Sequence, residues 1–141
     1  MEENYLTCGP ISKKLISRLI EKISGKTDSG GHMLFLGQVR ADEIQGKKVK
    51  SIEYSAYSEL VNAEAEKIKK TIYAEFSDVK SVKIVHSTGL VNAGEISLLV
   101  FVSAGHRQQA MQACSKTVEL IKEKLPVWKK EIFDDDSHKW K

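Results

Sequence analysis

The fold turns on residues 96–131, ISLLVFVSAGHRQQAMQACSKTVELIKEKLPVWKKE. Ile96 to Ser103 is a nearly unbroken apolar run of strand length, the pattern of a strand covered on both faces. It leads directly into a helix, because Met111, Cys114, Val118, Ile121 and Leu125 recur at spacings of three and four and so share one apolar stripe. Pro126 lacks the N–H that another turn would need, and it ends the helix.

The same stretch concentrates positive charge. Between Arg107 and Lys130 there are six Lys or Arg against two Glu, in a chain whose net charge is only +3. His106 and Arg107 fall at the helix start, where the macrodipole and the exposed N–H groups disfavour cations. An anion between them would remove the conflict, since helix N-termini hold phosphate or carboxylate and arginine adds bidentate hydrogen bonds. Gly105, His106 and Arg107 are therefore a candidate phosphate or carboxylate site. Lys122 and Lys129 can face each other only if the chain turns back after Pro126. If they do, two lysines in a partly buried pocket depress each other's proton affinity, giving a general base, a nucleophile or a clamp for an acyl group. If they do not, they are a solvated helix face and a snorkelling tail.

Working outward, Ser12 is an N-cap candidate for a helix to about Ser24, with Leu15, Ile16, Leu19, Ile20 and Ile23 as its stripe. Residues 25–31, GKTDSGG, read as a loop. His32 to Arg40 is apolar on both alternating faces and reads as an interior strand with Arg40 at its end. The segment 41–48 reads as a mobile connection. Residues 49–57 form a second strand with Ile52, Tyr54 and Ala56 on one face, and the two strands suggest a long hairpin. From Ser58 to about Phe76 a helix buries Val61, Ala65, Ile68, Ile72 and Phe76. Val79 to His86 is a strand, and 87–95 reads as a turn with two glycines. The predicted order is αββαββα, an α+β fold with a mainly antiparallel sheet and packed helices in one domain over 1–141. The acidic-then-basic tail from Glu131 leaves Trp140 either facing solvent or docking as a lid.

With 141 residues, 41% hydrophobic and 29% charged, the composition is that of an ordinary globular chain able to bury a core without disulfides or a structural metal. The small net charge argues against a dedicated nucleic-acid binder. Cys8 and Cys114 do not make a disulfide framework, and the scattered His32, His86, His106 and His138 lack zinc-ligand spacing, so no metal is expected. The first ten residues lack the pattern of a signal peptide, and no apolar run reaches membrane-spanning length; the expectation is a cytoplasmic protein without membrane contact.

Four motifs make the chain similar to a known family. FLGQVR at 35–40, EYSAY at 53–57, SAGHR at 103–107 and KEKLPVWKK at 122–130 occur in the order and spacing of the catalytic large subunit of molybdopterin synthase, the MoaE family. The resemblance implies a fold of the α/β hammerhead type and a sulfurtransferase that acts as a homodimer within a heterotetramer. It implies a small ubiquitin-like sulfur-carrier subunit, MoaD-like, whose C-terminal Gly-Gly tail carries a thiocarboxylate. The implied substrate is cyclic pyranopterin monophosphate, which gains a dithiolene to become molybdopterin, with no metal cofactor for the step. By position it assigns Lys122 and Lys129 as catalytic and Arg40, His106 and Arg107 to substrate binding.

Two departures stand out. The family's His-Arg-x-Gly is here His86-Ser87-Thr88-Gly89, so the arginine's anion contact is missing and His86 is left outside the site. Gly105 interrupts the usual Ser-Ala-His-Arg. The alternative to an enzyme is a noncatalytic phosphate-ligand or nucleic-acid-binding domain, with the basic helix on phosphates and Phe35, Tyr54 or Phe101 stacking on bases.

Overall fold

A computed structural model describes residues 4–141; residues 1–3, the start of the segment read for a leader, lie outside the described residues. In chain order the elements are β1 (Leu6–Cys8), α1 (Lys13–Ile23), β2 (Gly31–Gln38), β3 (Glu43–Ile44), β4 (Lys47–Ala56), α2 (Ser58–Glu75), β5 (Val79–Asn92), β6 (Ile96–Ala104), α3 (Arg107–Lys124), β7 (Val127–Phe133) and β8 (His138–Trp140). The seven expected elements are present in the expected order, and β1, β3, β7 and β8 are added. The strands follow the path β2-β6-β5-β4-β7-β8, with β1 on β5 and β3 on β4. Among the described residues only the short β1–β5 pair is parallel, so the fold is α+β with a mainly antiparallel sheet.

The pleat explains why β6 is apolar without a break from Leu98 to Val102. Leu98, Val100 and Val102 join Val82 and Ile84 of β5 under Val61, Ala65, Ile68 and Ile72 of α2 and Ala110, Ala113 and Cys114 of α3. Leu99 and Phe101 face the other way and pack with Val85 and with Leu19 of α1. Both faces are covered, so no position on the strand needs to be polar for water. No helix among the described residues is long and apolar enough to cross a membrane.

Several expectations are corrected. The strand read as interior, β2, lies at one end of the sheet; it is apolar on both sides because Met33 and Phe35 meet the α2–α3 layer while Leu36 meets the α1 layer. The expected β2–β4 hairpin does not form. β2 pairs with β6, and β4 pairs with β5 and β7. The intervening 41–48 segment is itself a hairpin of β3 and β4, closed by Gln45 and Gly46 at φ 51° and 79°, two left-handed residues that a two-residue turn of this type requires. The glycine turn expected after His86 is mostly strand. β5 runs on to Asn92, pairing through Val79–His86 with β6 and through Gly89–Asn92 with β4, and Gly89 at φ 77° sits where it changes partner.

The helix stripes also shift. On α3 the buried residues are Ala110, Ala113, Cys114, Thr117, Leu120 and Ile121, whereas Met111 is exposed. Small residues at 110 and 113 let α3 lie close to the sheet, and that pushes the bulkier Met111 outward. Ile20 of α1 is likewise exposed, and Ser12 caps with its carbonyl, accepting from the Leu15 N–H, rather than with its side chain.

Candidate functional site

Pro126 turns the chain back as the lysine pair requires. β7 runs antiparallel to β4 with Lys129 opposite Tyr54 and Glu131 opposite Ile52. Alternation along β7 turns Trp128 out to solvent and Lys129 and Glu131 inward. Lys122, in the last turn of α3, reaches the same space. The result is a cavity of about 300 Å³ whose lining includes Arg40, His86, Lys122, Lys129, Glu131 and Lys141. The two lysines are therefore brought together, not left as separate solvated faces.

Their proximity changes their chemistry. Burial first, then the charges of Lys122 and Lys141 and a hydrogen bond with Lys122, hold the Lys129 ammonium down at about 8 instead of 10.5. Lys129 thus releases its proton near physiological pH, which an exposed lysine does not. Lys141 is fixed beside it by its own amide, which donates to the Lys129 carbonyl at 2.9 Å. Glu131 is 4% exposed in the cavity wall.

Contrary to expectation, His86 belongs to the cavity. It shares a face of β5 with Val82 and Ile84, the face that looks toward α3, and alternation would have found it. Its Nδ1 donates to the Ser87 carbonyl at 2.8 Å, leaving Nε2 unprotonated on the neutral ring. Burial chiefly, then Lys129 and Lys122, push the ring down to about 4 against the Ser87 hydrogen bond, so it is neutral at pH 7. Tyr54 meets it edge-on at 5.0 Å and donates from its hydroxyl to Ser97 Oγ at 3.0 Å. Burial raises the Tyr54 phenol against that hydrogen bond. Ser87 does not line the cavity; it is fully buried, with its Oγ unpartnered.

Arg40 stands just beyond β2 at the cavity rim, largely exposed, with Nε 3.4 Å from Asp42. His106 and Arg107 are elsewhere. They open α3 while Lys122 closes it, so fifteen residues of helix separate the two groups by roughly 22 Å. The anion that the helix start demanded is an internal carboxylate. Asp78 Oδ2 accepts from the His106 backbone N–H at 2.7 Å and faces its Nδ1 at 3.1 Å, and the Asp78 carbonyl accepts from Gly105 N–H at 3.1 Å. Partial burial raises the Asp78 carboxyl, but the hydrogen bonds and charge of His106, with Lys80, outweigh it and hold it below the usual range.

Gly105 now has a reason. A Cβ there would overlap Asp78 Oδ1, so only glycine lets the carboxylate this close. Trp140 is exposed on β8, with Lys130 Nζ 5.5 Å from its ring centroid. The aromatics considered for base stacking are not available as a platform, since Tyr54 and Phe101 are buried and Phe35 partly so. Among the described residues, no three His, Cys, Asp or Glu side chains gather as a metal would require.

Comparison with known proteins converges on one family. The profile of the MoaE protein family matches residues 7–124. A relative from Dictyostelium discoideum, a molybdopterin synthase catalytic subunit, is 41% identical over 122 residues, covering 85% of this chain and 77% of its own. A relative of the same name from Drosophila willistoni is 36% identical over 132 residues, and there the chain spans 93% of itself but only 35% of the relative. Among solved structures, molybdopterin synthase from Staphylococcus aureus superposes with a TM-score of 0.86 at 29% identity, covering 100% of this chain and 98% of that one.

Proposed function

The chain belongs to the MoaE family, and from that premise we propose that it is the catalytic subunit of a molybdopterin synthase. Sulfur arrives as the thiocarboxylate at the C-terminal Gly-Gly tail of a small ubiquitin-like subunit. It is transferred to cyclic pyranopterin monophosphate, and two such transfers build the dithiolene of molybdopterin. The observation that carries this reading is the lysine pair itself: Lys122 and Lys129 share one cavity, and one of them is held near pKa 8.

Each group has a role suited to its surroundings. Lys122, in the last turn of α3 and exposed, stabilises negative charge on the acyl oxygen of the tail as its carbon is attacked. Lys129, able to lose and regain a proton near neutrality, moves protons or holds the intermediate. Arg40 at the rim draws the anionic substrate in, and Lys141 adds to the positive field. The neutral His86 at the back of the cavity offers an acceptor rather than a further charge.

His106 and Arg107 can reach the same substrate only from a second copy of the chain. A two-fold axis across the edge beside β2 and α3 would lay one α3 start near the other copy's lysines, since such an axis reverses the helix direction. Supporting this, Leu34 and Met111 are exposed along a groove between β2 and α3, an apolar surface that a dimer would cover. The assembly is then a homodimer carrying one small subunit at each cavity, a heterotetramer. Its place is the cytoplasm, which agrees with Cys8 and Cys114 both being free.

Reconstitution tests the reading. Purified chain, thiocarboxylated small subunit and cyclic pyranopterin monophosphate are combined, and dithiolene formation is followed for wild type and Lys122→Ala. Product from wild type and a loss of at least about a hundredfold in the variant, with its melting temperature kept, is the expected result. Near-normal turnover by Lys122→Ala removes the role of that lysine. No product from wild type with the small subunit bound removes the activity.

A further inference from the structure

The contact between Asp78 and His106 does more than cap a helix. His106 carries its ring in the open, 88% exposed at the side chain, and an open imidazole ordinarily samples several rotamers and both neutral tautomers. Here one carboxylate oxygen grips the residue twice, at its backbone N–H (2.7 Å) and at ring Nδ1 (3.1 Å). Asp78 is held in turn: its own N–H donates to Gln109 Oε1 at 2.9 Å, and its carbonyl accepts from Gly105 N–H.

The local glycines give the grip its space. Beside Gly105, a Cβ on Gly30 would overlap the Gly105 carbonyl, and one on Gly31 would press on the Arg107 backbone at 2.9 Å. The start of β2, the Asp78 corner and the start of α3 are thus packed closely enough to fix one another.

An ionised carboxylate can only accept, so Nδ1 must carry the proton that lies between the two side chains. The ring's other nitrogen, Nε2, is then the atom turned to whatever approaches. We propose that Asp78 is a positioning residue for the sulfur-transfer reaction, fixing the orientation and tautomer of His106 so that Nε2, beside Arg107, is presented to the substrate. This rests on the reading above that His106 serves a cavity. It also refines it: because Asp78 already occupies the amide of His106 and the carbonyl of Asp78 that of Gly105, an incoming anion is met by side chains rather than by those two backbone amides.

The test separates the tautomer from turnover. Imidazole nitrogen NMR is recorded on the intact protein as wild type, Asp78→Ala and Asp78→Asn, at a pH where the His106 ring is neutral. Wild type is expected to show Nδ1–H at His106, and Asp78→Ala a shift of roughly fivefold or more toward Nε2–H, the effect of losing one partly exposed charge-assisted hydrogen bond. Asp78→Asn, which keeps a neutral acceptor, should fall between them.

In the reconstituted assay, Asp78→Ala should lower kcat/KM about tenfold. The loss should disappear in a His106→Gln background, because a residue that acts through the imidazole has nothing to position once it is gone. An unchanged tautomer in Asp78→Ala, or an equal rate loss in the His106→Gln background, overturns the proposal. If wild type makes no product, the functional reading has failed, and the NMR comparison still decides whether Asp78 sets the ring.

Discussion

Replacing Lys129 with methionine is expected to make the protein more stable while removing its activity. Methionine keeps most of the side-chain volume and deletes the ammonium. The folded protein holds that ammonium at about 8, against 10.5 for a free lysine, chiefly because burial and the charges of Lys122 and Lys141 oppose it. At about 1.36 kcal/mol for each step of one in pKa, the charged form costs the fold at most about 3.4 kcal/mol at neutral pH. Residual solvent contact lowers that figure, so about 1 to 2 kcal/mol is expected to appear as stability. For a chain of this size that is a rise in melting temperature of roughly 3 to 7 °C.

The pH dependence is the stricter part of the prediction. The folded pKa lies below the unfolded one, so between about 8 and 10.5 the unfolded chain binds more protons and wild-type stability rises with pH. The advantage of Lys129→Met should therefore be complete below pH 8, fall to less than half by about pH 9.5 and vanish above 10.5. Differential scanning calorimetry at pH 7 and at about pH 9.5 measures both. A variant that melts below wild type at pH 7, or an advantage unchanged at the higher pH, would refute the strained-ammonium account of the cavity.

Two further predictions concern the other buried polar groups. His86 is held down at about 4 against 6.5 in the unfolded chain, so between those values the unfolded state binds more protons and stability falls as pH drops. Urea unfolding should show wild type losing up to about 3 kcal/mol from pH 6.5 to pH 4 on this account, and His86→Gln should flatten the slope by a similar amount. Tyr54→Phe leaves Ser97 Oγ without its buried donor. A loss of about 1 kcal/mol in the same assay is expected, and no loss would mean that water replaces the phenol.

Much of the fold was legible because the rules of burial are simple for most of it. α2 shows its stripe of Val61, Ala65, Ile68 and Ile72, and β6 shows a run covered on both faces. The pairing of strands was not legible. β5 is a strand of 14 residues that leaves β6 for β4 at Gly89, and a glycine inside a strand looks in sequence like a glycine in a turn. β7 was hidden for a different reason. Its inward side carries Lys129 and Glu131 between Val127 and Phe133, because it walls a polar cavity, and the usual apolar alternation is replaced there by function.

The site shows how far a motif carries without geometry. The lysines needed only the turn at Pro126 to meet, and β7 supplies it. His86 is masked in the sequence by its neighbour Ser87, which looks the other way along the pleat. The distance between the two halves of the site could have been read from the sequence, because His106 and Arg107 open a helix that Lys122 closes. Fifteen residues of helix rise by roughly 22 Å, more than one pterin-sized ligand can bridge. If the His-Arg pair and the lysine pair act on one substrate, that substrate lies between two chains. The single chain then holds half of two sites rather than the whole of one. On that proposal Asp78 has a use within its own chain: it holds an exposed histidine at a helix start in place before any second chain meets it.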